Sequence, residues 1–96
     1  NLYRSLLTFK EQYLHTLTGQ PVLLILSDTR TMHADRALTE LLEIKRRVVR
    51  SLWLVPLPRR QWPVVPTIDV FQQVFPLLEC RTLSQLEKAL SELMLA

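Results

Sequence analysis

The sequence predicts an α/β fold, a Rossmann-like parallel sheet of three strands layered between helices, and three observations carry that prediction. Val22-Leu23-Leu24-Ile25-Leu26 is a continuous apolar run entered through Gly19-Gln20-Pro21 and left through Ser27-Asp28, the pattern of a strand buried on both faces within a parallel sheet. Leu52-Trp53-Leu54-Val55 is a second such run, ended by Pro56. Helical spacing of apolar residues precedes and separates the two runs, so the connections are right-handed crossovers. With 96 residues, 48% of them hydrophobic and 22% charged, the chain forms a single domain, residues 1–96, able to bury a core.

In order along the chain, a helix is expected over residues 2–17, where Leu2, Tyr3, Leu6, Leu7, Phe9, Tyr13, Leu14 and Leu17 follow i, i+3, i+4, i+7 spacing. Gly19, the only glycine, stands where a left-handed residue closes such a helix. The first strand covers about 22–27. A second helix, about 35–48, has Ala37, Leu38, Leu41, Leu42, Ile44 and Val48 on one side, Asp35 in its first turn and Lys45, Arg46 and Arg47 in its last, charges that suit the helix dipole. The second strand is about 51–56. Four of the six prolines fall between Pro56 and Pro66, which predicts a stiff loop with no regular element. Thr67 caps a short helix, 68–75, that stops at Pro76; Leu77 to Cys80 form a third strand, 77–80. Thr82-Leu83-Ser84-Gln85 has the capping-box form and opens a last helix, 83–94, with Leu83, Leu86, Leu90, Leu93 and Met94 on one face.

Composition narrows the function classes. The formal charge is +3, with nine arginines to three lysines, a mild basic balance that helix C-termini largely absorb. Cys80 is the single cysteine, so an intramolecular disulfide, a CxxC pair and a cysteine zinc cluster are excluded, and Cys80 reads as a small buried hydrophobe. No apolar run reaches bilayer-spanning length, and the expected setting is soluble, reducing and cytoplasmic. The chain begins at Asn1 rather than Met, as a piece of a longer protein would.

Asp28 is the first residue to question about chemistry, because a carboxylate where a buried strand ends lies at the carboxyl edge of the sheet, where open α/β folds bind ligands. A haloacid-dehalogenase-like Asp-x-Asp-x-Thr needs an acid two residues on, and Arg30 stands there. A receiver-type site needs an earlier acidic pair and a later lysine that the chain lacks. One glycine cannot build a phosphate loop, and Ser27 has neither the flanking glycines nor the histidine of a nucleophile elbow. No catalytic residues are assigned, and the protein is expected not to be an enzyme. Two readings of Asp28 remain: a hard-metal ligand for Mg²⁺ with Ser27, Thr29 and Thr31 nearby, or a residue that caps its own loop by accepting backbone N–H bonds.

Ile25-Leu26-Ser27-Asp28, the Leu-rich helix ending in Arg46-Arg47, and Leu52-Trp53-Leu54-Val55-Pro56 together resemble the C-terminal half of a von Willebrand factor A (VWA) domain. The resemblance is to the CoxE-like branch, whose strands look like VISDG and IWLNP. Phe75-Pro76-Leu77-Leu78 and the helix opening at Thr82-Leu83 are similar to that branch's ending. The motifs are short and cover nearly the whole chain. The resemblance implies a doubly wound sheet and a Mg²⁺-binding metal-ion-dependent adhesion site formed by an amino-terminal Asp-x-Ser-x-Ser, a middle-loop Thr and an Asp after the fourth strand. Asp28 matches that last Asp. The Asp-x-Ser-x-Ser is missing, the middle Thr would fall before Asn1, and Thr29 stands where the family has Gly. One metal ligand of a divided site is therefore implied, with Mg²⁺ in the complete domain and no cofactor for this chain alone.

The resemblance further implies a non-enzymatic interaction module working with a MoxR-type AAA+ ATPase in metalloenzyme maturation or complex assembly. Its sheet would be completed by the remainder of the VWA domain or by a second copy. Arg59, Arg60 and Trp62 are candidate partner contacts, with Trp62 folded back on the core as the other reading. A competing function is a small α/β domain that binds nucleic acid or another polyanion through Arg46, Arg47, Arg50, Arg59 and Arg60. No membrane partner is expected.

Overall fold

The computed structural model describes Thr8 and residues 19–95. Apart from Thr8, the helix expected over 2–17 lies outside the described residues. The elements are β1 (Val22–Leu26), α1 (Ala34–Lys45), β2 (Arg50–Val55), a 3₁₀ helix η1 (Arg59–Val64), α2 (Pro66–Gln72), β3 (Leu77–Glu79) and α3 (Leu83–Leu95). The three strands form one parallel sheet in the order β1-β2-β3, with Leu24 opposite Leu52, Ile25 opposite Trp53 and Leu54 opposite Leu78. This is the α/β, Rossmann-like arrangement expected. Among the described residues no helix is long and apolar enough to cross a membrane.

Alternation along the strands sorts the side chains into two layers. On one face Ile25, Trp53, Val55 and Leu77 pack against Ala37 and Leu41 of α1, Trp62 of η1, and Ile68 and Phe71 of α2. On the other, Leu52, Leu54 and Cys80 pack against Ala89 and Leu93 of α3. Cys80 is thus the buried small hydrophobe its sequence context predicts.

The strand buried on both faces is β2, whose Leu52, Trp53, Leu54 and Val55 are at most 6% exposed. β1, expected to be the same, is not. Ile25 is buried, but Val22, Leu24 and Leu26 are 40%, 40% and 66% exposed on the face that α3 covers only farther along the sheet. A run of five apolar residues cannot reveal whether its second face has a neighbour, and here the described residues supply none.

Other boundaries shift for identifiable reasons. α1 ends at Lys45, not residue 48, because Arg47 donates to the Ile44 carbonyl and Val49 to the Pro21 carbonyl, which tightens the turn and starts the β1–β2 ladder. α2 starts at Pro66, a residue pre-set for the first helical position, so Thr67 lies inside the first turn instead of capping it. The proline-rich stretch is not irregular: η1 holds Pro63 internally, and 3₁₀ bonds from Gln61 to Pro58 and Val65 to Trp62 leave Pro63 no N–H obligation. In α3 the Thr82 hydroxyl accepts the Gln85 amide as expected, but of the face expected to be apolar Leu83 and Leu90 are 70% and 37% exposed, and the residues buried in the core are Ala89 and Leu93.

Trp53 has no exposed surface; its ring lies 4.5 Å from Phe71 and 5.7 Å from Phe75, and its indole donates to the Ser27 carbonyl at 2.9 Å. Replacing Trp53 by Phe removes that donor and leaves a cavity, so urea denaturation followed by circular dichroism is expected to show a loss of about 2–4 kcal/mol.

Candidate functional site

The carboxyl ends of β1 and β2 lie on one edge of the sheet, and the loop after β1 and the segment leading to η1 both start there. Asp28 is at this edge, as the sequence predicts. The loop folds on its own polar groups: the Ser27 hydroxyl accepts the Thr29 N–H at 3.1 Å and Asp28 Oδ1 accepts the Arg30 N–H at 3.0 Å, two successive side-chain turns of the kind Ser and Asp favour. Arg30 Nη1 is 3.9 Å from Asp28 Oδ2, with the two side chains 59% and 39% exposed, a pair worth about 0–1 kcal/mol. The loop-capping role of Asp28 is realised.

Thr29 turns the opposite way. It is completely buried, and its hydroxyl lies 2.9 Å from that of Thr67 in α2, either one donating. Its φ of 71° is in the left-handed region, which for a β-branched residue costs on the order of 1–3 kcal/mol. Thr31 Oγ1 is buried and has no hydrogen-bond partner among the described residues. Ser27, Asp28, Thr29 and Thr67 thus form one small polar cluster; the part played by Thr67 was not foreseen, because its partner is 38 positions away.

Mg²⁺ requires near-octahedral oxygen coordination, commonly with one or two carboxylates. Asp28 offers one carboxylate, already shared with the Arg30 amide and facing its guanidinium, while the Ser27 and Thr29 hydroxyls are engaged within the fold. Among the described residues no three His, Cys, Asp or Glu side chains come together. Among the described residues the set offers one carboxylate, a single ligand position for Mg²⁺.

Arg59, Arg60 and Trp62 are on η1. Trp62 is the folded-back residue and not an exposed anchor: it is 8% exposed, and its indole donates to the Leu57 carbonyl at 3.0 Å. The Arg59 guanidinium covers its ring at 4.6 Å. Sequence reasoning missed Glu79, at the end of β3, which accepts the Arg59 backbone N–H at 2.7 Å on Oε1 and the Gln85 side-chain amide at 2.8 Å on Oε2. The Arg59 N–H bond, then the Gln85 bond, hold its carboxyl below the ordinary value of 4.5, with the Arg81 and Arg59 charges adding to the effect and partial burial opposing it. A lone acid closing an apolar strand at the carboxyl edge was the available signal. A groove of about 320 Å³ beside it is lined by Arg59, Leu78, Glu79, Gln85, Lys88, Ala89 and Glu92.

Compared with protein-family models, curated proteins and solved structures, the chain matches none.

Two measurements test this geometry. Thr29→Gly and Thr29→Ala delete the same contacts and differ only by a Cβ, so at a left-handed position the glycine variant is expected to be the more stable by about 1 kcal/mol in urea denaturation; the reverse order would contradict the φ of 71°. Titration of this chain with Mg²⁺ by calorimetry is expected to show no saturable heat at millimolar concentration.

Proposed function

We propose that this chain is the C-terminal half of a VWA-like domain of the CoxE-like branch, and that it acts by binding another polypeptide, with no catalytic step of its own. The observation that carries the reading is the unfinished side of the sheet. Val49 donates to the Pro21 carbonyl and Ser27 donates to that of Leu54, so the backbone groups of alternate residues from Pro21 to Ser27 face β2. Those of Val22, Leu24 and Leu26 face the opposite edge, where no described strand lies. The same three residues carry the exposed apolar side chains. An uncharged, apolar edge without proline or bulge is a template for a further strand. The remainder of the domain fits this role, as does a second copy.

Two details support the family reading. Parallel order β1-β2-β3 with α3 on the opposite face from α1 and α2 suits the second half of a doubly wound sheet. Thr29 occupies the place of the family's Gly and has the backbone conformation glycine favours. In the completed domain Asp28 would contribute one oxygen to Mg²⁺, with the other ligands from the completing segment. Arg59 and Arg60, exposed on η1, are the contacts we assign to a MoxR-type AAA+ ATPase partner.

The polyanion reading gains less support. Arg46, Arg47 and Arg50 follow α1 and open β2 at the amino edge of the sheet, whereas Arg59 and Arg60 follow β2 at the carboxyl edge. The arginines are divided between two ends and form no single patch.

Light scattering tests the proposal. The chain is expected to associate, with itself or with an added completing segment, and Leu24→Lys is expected to abolish association while the circular dichroism spectrum stays unchanged. A wild-type chain that stays monomeric in both settings would overturn the reading. Binding to DNA or heparin that falls steeply with salt would replace it with the polyanion function.

A further inference from the structure

We propose that Glu79 is a latch that holds the η1 turn, with its Arg59–Trp62 stack, against the carboxyl edge of the sheet, and that removing the negative charge of Glu79 opens this turn without unfolding the sheet. The inference stands on hydrogen-bond geometry and does not depend on the VWA reading.

One carboxylate ties three elements together. Oε1 takes the Arg59 N–H, the first amide of η1, at 2.7 Å, and Oε2 takes the Gln85 amide from the first turn of α3 at 2.8 Å. Gln85 is itself oriented, because its Oε1 accepts the Arg81 N–H at 2.6 Å. Glu79 is thus faced only by donors, and only the ionised carboxylate can accept fully from both. A neutral carboxamide at position 79 would direct an NH₂ group at one of these donors. Turning Gln85 over to receive it would abandon Arg81, so at least one bond of the relay must break. The charged groups around Glu79 are Arg59 from η1, Arg81 from the turn before α3, and Lys88 and Glu92 from α3 along the same groove.

The Arg59 end of the turn has little else to hold it. Beyond the Glu79 bond, η1 is fixed by the buried Trp62 ring, the indole bond to Leu57 and a long 3.5 Å contact from Arg59 Nη2 to the Leu77 carbonyl. Its own 3₁₀ bonds are short-range and of poorer geometry than α-helical ones. The sheet is held by the Trp53 cluster through Ile25, Val55 and Leu77, and the Trp62 ring joins that same cluster from η1, so the sheet keeps its packing when the Arg59 end of the turn is released.

The sign of the pH dependence follows. The folded-state value of Glu79 is lowered below 4.5, so the latch is closed above that pH and opens as pH falls through the lowered value.

The two tryptophans provide separate reporters by ¹H–¹⁵N NMR: the Trp62 indole is bonded within the turn, and the Trp53 indole is bonded to Ser27 in the sheet. In Glu79→Gln at pH 7 the Trp62 indole resonance is expected to shift, and exchange of the Gln61 and Val65 amides to quicken by roughly tenfold, the scale of one lost charge-assisted hydrogen bond. The Trp53 indole is expected to stay in place. In the wild type the Trp62 indole should move with a midpoint below 4.5, and that transition should be missing in Glu79→Gln. Gln85→Ala, which cuts only the α3 arm, should loosen the start of α3 and leave Trp62 unshifted. Joint movement of both indoles in Glu79→Gln, no movement of either, or an acid transition of Trp62 that survives the substitution would each overturn the latch.

Discussion

The position of Trp53 governs the rest of the structure. A central strand can anchor both faces of a sheet, and β2 does so with four consecutive buried residues, of which Trp53 is the largest. Its ring holds Phe71 of α2 and Phe75 beyond it in tilted and edge-on geometry, contacts worth about 0.5–1.5 kcal/mol each beyond their buried area. Its amide bonds to the Pro76 carbonyl and so sets where β3 enters. Its indole bonds to Ser27 and fixes the first residue of the polar loop. Lys45 continues the same cluster, with its ammonium 5.3 Å from the Phe75 ring and bonded to the Val74 carbonyl. One residue therefore ties the end of β1 and the position of α2, through its side chain, and the start of β3, through its backbone amide, to the middle of the sheet.

That central order contrasts with β1. Fully burying a leucine or valine side chain contributes about 1.5–3 kcal/mol, and Val22, Leu24 and Leu26 forgo a sizeable part of it on the uncovered face. For a domain whose net stability is only of order 5–15 kcal/mol, several partly exposed side chains on one strand are a substantial fraction. Any chain that covers them binds the folded state and not the unfolded one, so association and stability are linked through mass action.

Local signals and long-range pairings differ in how visible they are in a sequence. The strand expected over about 51–56 and found at Arg50–Val55, the Thr82 cap and the buried Cys80 were legible because each depends on residues within a few positions of one another, whereas the helix expected to run to 75 ends at Gln72. The one-sided burial of β1 was not, since an apolar run shows that burial is possible without showing what lies on each side. η1 was hidden by its prolines, which signal a loop by frequency yet supply the fixed φ that a 3₁₀ turn uses. Asp28 could be placed at the carboxyl edge from the strand that precedes it. The Thr29–Thr67 and Arg59–Glu79 pairings could not be found, because they span 38 and 20 positions and follow from how α2 and β3 return to the sheet.

The location of unsatisfied surface distinguishes the kinds of function this fold can support. At the carboxyl edge the Ser27 hydroxyl, Asp28 Oδ1 and the Thr29 hydroxyl are spent on the loop and on α2, while the buried Thr31 hydroxyl has no partner among the described residues. The left-handed Thr29 makes this arrangement possible: it sends one side chain inward to Thr67 while the carboxylate before it stays half-exposed at the rim. The bond to Thr67 and the burial of Thr29 act against the backbone strain. The largest exposed apolar side chains of the sheet lie along β1, where Val22, Leu24 and Leu26 stand on the face opposite to buried Ile25. Asp28 stands at the rim just past that strand, its side chain 39% exposed and its Oδ1 turned back to the Arg30 amide, so the local fold and not an outside group fixes its direction.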